Sequence, residues 1–291
     1  MRRKAPVAAI GVLVLLGLGW LSRPHVTEKW SSAIGSDSQS SYISKGPQAE
    51  DKVVVMAKMA TDNVDWVAEK LQDWQQAIYS MDDHKQILHP PVNKGREAMA
   101  YLTFIIDHYS SLPEIIVFLH PHRSGYPEAW HTDAEDYDNV NSIRSLRLNY
   151  VREHGYANMR CIHIPGCPDE IHPFRNDPER KYELAFADAY TYMFGGNRST
   201  VPETVAAACC AQFATSRSQI QVRPKSEYER YRKWLMDTEL SSEDSGRVLE
   251  YMWHMIFGKD PVWCPELTQC WCQQFGRCGQ GLDQVYTHHL S

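Results

Sequence analysis

Residues 114–120 read EIIVFLH, a strand-length run whose five central positions are all apolar. Such a strand cannot present one dry face and one wet face. Both of its faces must be buried, as in a parallel sheet covered by helices on either side. Residues 52–57 (KVVVMA) read as the first strand and residues 77–79 as a second. Helical patterns separate them. Asp62-Asn63 caps a predicted helix over 64–76, with Trp66, Val67, Leu71 and Trp74 inward, and a second helix is predicted over 95–109. A third, over 138–154, stops at Gly155. Alternating strand and helix predicts an α/β fold with a mostly parallel central sheet flanked by helices. Further helices are expected over 179–192, over 227–238 with Ser226 as cap, and over 244–257. No repeat and no linker follows residue 50, so residues 51–291 read as one globular domain.

The N-terminus reads as an address. Met1-Arg2-Arg3-Lys4 is basic, and residues 5–21 carry no charge. A 17-residue helix would span roughly 25 Å, just short of a bilayer core. No Ala-x-Ala cleavage pattern follows, so a signal-anchor helix over 5–22 is favoured over a cleaved signal peptide. Residues 1–4 would then form a cytosolic tail and the remainder would be lumenal. Residues 23–50, rich in Ser with Gly35, Gly46 and Pro47, read as a disordered stalk. The expected location is a single-pass membrane protein of the secretory pathway, in the endoplasmic reticulum or Golgi, with a lumenal domain.

Composition narrows the function classes. With 43% hydrophobic residues, 9 Trp and 15 Tyr, this chain is not mainly disordered. Its 30 Lys and Arg against 36 Asp and Glu give a net charge of −6, which argues against nucleic acid as a partner. A mean hydropathy of −0.47 excludes a multi-span membrane protein. The eight cysteines, Cys161, Cys167, Cys209, Cys210, Cys264, Cys270, Cys272 and Cys278, are an even number, as expected for disulfides in an oxidising compartment. The spacing from Cys264 to Cys278 lacks the C-x2-C knuckles of zinc sites and predicts a disulfide-stapled C-terminal segment. Adjacent thiols pair with difficulty, so Cys209 and Cys210 are each expected to bridge elsewhere, or one to stay a buried thiol. Asn197-Arg198-Ser199 is a glycosylation sequon at Asn197.

Four constellations could carry chemistry. His120 and His122 end the apolar strand on one side of the backbone and could grip a divalent metal, with His131 nearby. The alternative is that they bond to backbone at a strand end. Arg247, Glu250 and His254 fall on one face of an otherwise apolar helix, where a polar stripe must be paired internally or line a cavity. Asn93, Lys94, Gly95, Arg96 and Glu97 open the second helix, where free N–H groups and basic side chains suit a diphosphate or carboxylate. Asp136-Tyr137-Asp138 is a D-x-D, which either binds a metal or caps the helix that follows. No P-loop, dinucleotide fingerprint or nucleophile elbow is present.

Together these stretches resemble a family of unknown function, numbered 3431, known mainly from fungi with plant and algal relatives. The resemblance runs over about residues 52–278. It rests on Val53-Val54-Val55, Asp65-Trp66, the 93–98 segment, Tyr101-Leu102, Ile106-Asp107-His108-Tyr109, Phe118-Leu119-His120-Pro121-His122 and Trp130-His131. It continues through Gly155-Tyr156, Arg160-Cys161, Cys209-Cys210-Ala211-Gln212-Phe213, Ser245-Gly246-Arg247, Glu250-Tyr251, Trp253-His254, Cys264-Pro265, Cys270 and Cys272. The family is similar to divergent nucleotide-sugar glycosyltransferases of Rossmann-like, glycosyltransferase-A-like fold. The resemblance implies a transferase with a nucleotide sugar as small-molecule substrate and a divalent metal as cofactor. Glu97, Glu250 and His254 would be catalytic, while Asn93, Lys94, Gly95, Arg96 and Arg247 would bind substrate. His120-Pro121-His122 stands where such enzymes carry their metal-binding D-x-D. Alternatives on the same scaffold are a tailoring or cyclising enzyme of fungal secondary metabolism and a non-catalytic binding protein.

Overall fold

A computed structural model describes residues 43–45 and 50–279, which belong to one compact unit. In chain order the elements are β1 (Ser44–Lys45), β2 (Lys52–Lys58), α1 (Asp65–Lys70), β3 (Gln75–Ser80), α2 (Ala98–Asp107), β4 (Ile115–Leu119), α3 (Asn139–Ser145), α4 (Leu148–His154) and β5 (Tyr156–Asn158). Then follow α5 (Lys181–Phe194), β6 (Ala206–Ala207), β7 (Phe213–Ser216), α6 (Arg217–Ile220), α7 (Lys225–Asp237), α8 (Ser242–Glu250), α9 (Trp253–Ile256), β8 (Val262–Trp263) and α10 (Leu267–Phe275).

The central sheet has six strands in the order β1-β3-β2-β4-β7-β5. The strands read from the sequence, β2, β3 and β4, form its parallel heart. The expectation of a mostly parallel sheet does not hold beyond them, because β1 on β3, β7 on β4 and β5 on β7 all pair antiparallel. The reason lies in the long excursion after β4. It leaves and re-enters at the same end of the sheet, where the His120 N–H meets the Gln212 side chain (3.0 Å), so β7 must run back alongside β4.

Alternate residues of each strand feed two cores. Val53, Val55, Ile116, Phe118 and Phe213 pack under α2, α5, α7, α8 and α9. Val54, Met56, Ile115, Val117 and Leu119 pack under α1, α3, α4 and α10. This is why VVV and IIVFL carry no polar position: every side chain in β4 is buried.

Several boundaries differ from the sequence reading. The 64–76 helix is only α1, because Leu71 closes it and Gln75 has already joined β3. The 138–154 helix is two, broken at Leu146 and Arg147, both extended. Asp138 caps α3, accepting from the Val140 and Asn141 N–H groups, so the D-x-D is a helix start. The 227–238 helix begins at Lys225, with Pro224 rather than Ser226 at its N-cap. The 244–257 helix breaks after Glu250, and α9 is a separate turn.

All eight cysteines are paired: Cys161–Cys270, Cys167–Cys264, Cys209–Cys210 and Cys272–Cys278. The C-terminal segment is thus stapled within itself and to the stretch after β5. The Cys209–Cys210 bond overturns the expectation that these neighbours bridge elsewhere. Cys210 and Ala211 take left-handed φ values of 88° and 50°, and this turn closes the ring. The anchor expected over 5–22 lies outside the described residues, as does most of the stalk, although Ile43 is buried and Ser44–Lys45 joins the sheet. Among the described residues no helix is long and apolar enough to cross a membrane.

Candidate functional site

Gly95 and Arg96 adopt left-handed φ values of 69° and 53° just before Glu97, turning its carboxyl toward the carboxyl end of β4. A Cβ on Gly95 would lie 2.5 Å from Leu235 Cδ1, so this turn is packed as well as bent. Gly246 in α8 sits against the same turn, where an added Cβ would be 3.1 Å from the Gly95 carbonyl oxygen. That close approach brings Arg247 and Glu250 beside the N-terminus of α2.

The result is a cluster drawn from distant segments. Glu97 Oε2 lies 3.9 Å from His120 Nε2. His120 Nδ1 lies 3.0 Å from His131 Nε2. Glu250 Oε2 pairs with Arg247 Nη1 at 3.2 Å, and Glu250 Oε1 accepts the Cys210 N–H at 2.6 Å. The Glu97, Glu250 and His120 side chains keep 16%, 13% and 21% of their surface exposed.

Burial dominates the electrostatics. It raises the Glu97 carboxyl to about 7, with the neighbouring charge of Glu250 adding to the effect and Arg96 and Arg247 opposing it. Burial also raises Glu250, against Arg247 and the Cys210 N–H. It holds His120 well below its ordinary value, helped by His131 and His122, and His131 falls to about 4. At neutral pH the site therefore contains neutral imidazoles and a carboxyl poised between its two protonation states.

Other sequence-derived candidates lie elsewhere or are engaged. Lys94 Nζ donates to the Thr238 carbonyl at the end of α7. Arg96 pairs with Glu243 (3.0 Å). Asn93 is exposed, its amide directed at Met59 Sδ. His254 leaves the Arg247–Glu250 stripe because the helix breaks before it. Its ring is fully buried, Nε2 donates to the Pro261 carbonyl (2.9 Å), and burial lowers it to about 4. His122 is half-buried, and its carbonyl accepts from Asn139.

Among the described residues one group of three His, Cys, Asp or Glu donors lies within 4.8 Å, namely Cys209, Cys210 and Glu250, and its two sulfurs are bonded to each other. His120 and His122 belong to no group of three such donors among the described residues.

The family model described as "Protein of unknown function (DUF3431)" matches residues 54–273. The chain belongs to the DUF3431 family. No curated protein and no solved structure matches it. The DUF3431 match contains the whole cluster, from Glu97 to Glu250. Sequence reasoning missed the role of Gln212, whose side chain fixes the His120 backbone, and of Tyr101, one turn after Glu97. The Cys-Cys-Ala-Gln run was the available signal, since its adjacent cysteines and Gln212 lead straight into β7.

Proposed function

We propose that this chain is an acid–base enzyme whose working pair is Glu97 and Glu250, and that glycosyl transfer is the reaction class. One observation carries the reading: a carboxyl raised to about 7 shares a half-buried site with a second carboxyl that is also raised. Two such groups favour one proton between them, so one can donate while the other accepts. Arg247 favours the ionised form of Glu250 against the burial that raises it, while Glu97, raised to about 7, is the proton carrier. The resemblance of the sequence to glycosyltransferase-A-like enzymes supports the transfer chemistry, and the basic N-terminus, apolar run and stalk support a membrane-tethered, lumenal location.

A second reading, a nucleotide-independent tailoring or cyclising reaction on the same pair, has its own support. Lys94, Arg96 and Arg247 are all engaged within the protein, which leaves none of the expected basic residues free for a diphosphate.

Incubation with a panel of nucleotide sugars and divalent metals, and separately with neutral glycosides, followed by mass spectrometry, tests the proposal. Turnover should fall about a hundredfold or more in Glu97→Gln. Activity unchanged in that variant would contradict the assignment.

A further inference from the structure

The facing surfaces of α2 and β4 match step for step. Tyr101 lies one turn after Glu97, the N-cap of α2, while Phe118 and His120 lie two residues apart at the carboxyl end of β4, His120 being the residue just beyond it. Tyr101 packs on Phe118 with ring centroids 4.6 Å apart and the rings tilted by 48°, and Glu97 faces His120. Helical side chains lean toward the N-terminus of their helix, so the Tyr101 hydroxyl leans toward Glu97.

Two polar atoms in this arrangement are buried without a hydrogen-bond partner: His120 Nε2 and the Tyr101 hydroxyl. Tyr101 is wholly buried. Leaving buried polar groups unsatisfied is costly, and a ligand that bonds them would remove that cost. The 3.9 Å between Glu97 Oε2 and His120 Nε2 is too long for a hydrogen bond. It suits a single intervening oxygen: one placed about 2.8 Å from each atom subtends roughly 90°, an acceptable geometry for a hydroxyl that donates to one and accepts from the other. His120 Nδ1 is already engaged by His131 Nε2, so the imidazole is fixed with Nε2 directed at this gap.

The charge around the gap selects the ligand. His120 and His131 are neutral, and Arg247 and Arg96 are paired with Glu250 and Glu243. The groups that remain are a carboxyl, an imidazole and a phenol. None of them recruits an anion, and each hydrogen-bonds an alcohol.

From this we infer that the gap between Glu97 Oε2 and His120 Nε2, with the Tyr101 hydroxyl beside it, is a hydroxyl-binding subsite for an uncharged polyol. The inference rests on the acid–base reading of Glu97 and specifies the substrate group which that carboxyl addresses.

Calorimetry on the full-length protein, with myo-inositol and the methyl glycosides of glucose, galactose and mannose as neutral probes, tests it. Uridine diphosphate and inorganic pyrophosphate serve as anionic probes. At least one neutral probe should bind, and its affinity should drop about tenfold or more in Tyr101→Phe and in His120→Asn while neither anion binds. Two substitutions at different positions guard against a folding defect in one. Binding of the anions alone, binding of none of the probes, or a neutral affinity unchanged in both variants would overturn the subsite. The Glu97 titration, followed on the same protein, separates the two readings. A raised Glu97 with no polyol binding removes only the subsite, whereas a Glu97 that titrates near 4.5 removes the acid–base reading itself.

Discussion

The Cys210 backbone N–H donates to Glu250 Oε1 at 2.6 Å, which makes a disulfide between neighbouring residues the support of one of the two paired carboxyls. The bond holds Cys210 at a left-handed φ of 88°, a conformation a free cysteine would rarely keep. Replacing Cys209 and Cys210 together by Ala should therefore swing the amide away from Glu250. A lost hydrogen bond to a charged acceptor amounts to about 1.5–3 kcal/mol, so turnover should drop tenfold or more. Wild-type rates in the double variant would show that the ring plays no part in positioning Glu250.

The remaining disulfides should behave differently. Cys161–Cys270 closes a sequence separation of 109 residues, against 1 for Cys209–Cys210. Chain-entropy arguments give the long bridge about 4–5 kcal/mol of stability and the vicinal one little. Denaturant melts of Cys161→Ala/Cys270→Ala and of Cys209→Ala/Cys210→Ala should separate by several kcal/mol. Equal losses would contradict this division between structural and site-forming bridges.

Glu97 links folding to pH in a direction opposite to most carboxylates. Its folded value is raised to about 7 from 4.5, so the native state holds more protons than the unfolded state between those values. Stability from this group is intact below about pH 4.5 and falls as pH rises toward 7, by at most about 3 kcal/mol. Glu97→Gln removes the dependence. The variant should gain stability relative to wild type between pH 5 and pH 8, measured by urea melts at both. A stability difference that does not change with pH would mean that Glu97 ionises normally in the folded protein.

Gly95→Ala should disturb the site through the backbone. The residue sits at a φ of 69°, and its Cβ would meet Leu235 Cδ1 at 2.5 Å. The expected loss is about 1–3 kcal/mol, together with reduced turnover, because the turn that aims Glu97 must move. A melting temperature and turnover equal to wild type would show that the turn is not required.

Asn197 lies exposed at the start of a short 3-10 turn, with its side chain accepting from the Ser199 N–H. A chain translocated into the secretory pathway should carry a glycan there. Its gel mobility should shift on glycosidase treatment, and Asn197→Gln should abolish the shift. An unmodified chain from eukaryotic secretory membranes would count against the proposed location.

The parts of this fold legible in the sequence are those whose signal is local. The continuous apolar runs of β2 and β4 announced burial on both faces, and Gly155 marked the end of α4 with a φ of 75°. β7, the Phe-Ala-Thr-Ser of residues 213–216, was not legible. Its burial comes from landing between β4 and β5, not from its composition. The same contrast holds at the site. Glu97, His120 and Glu250 stood out as polar residues attached to apolar elements. His254 looked equivalent because helical spacing from Arg247 was assumed to continue, but Tyr251 takes φ −92° and ψ 14° and ends the helix. The Cys209–Cys210 bond escaped because a left-handed turn at a non-glycine residue carries no sequence signature.

Carbon-detected NMR titration of glutamate side chains, comparing wild type with Glu97→Gln, tests the central claim most directly. The account predicts one carboxyl titrating near pH 7 in the wild type, absent from the variant, with a second, perturbed step from Glu250 that moves when Glu97 is neutralised. A wild-type spectrum in which every glutamate titrates below about pH 5 would contradict it.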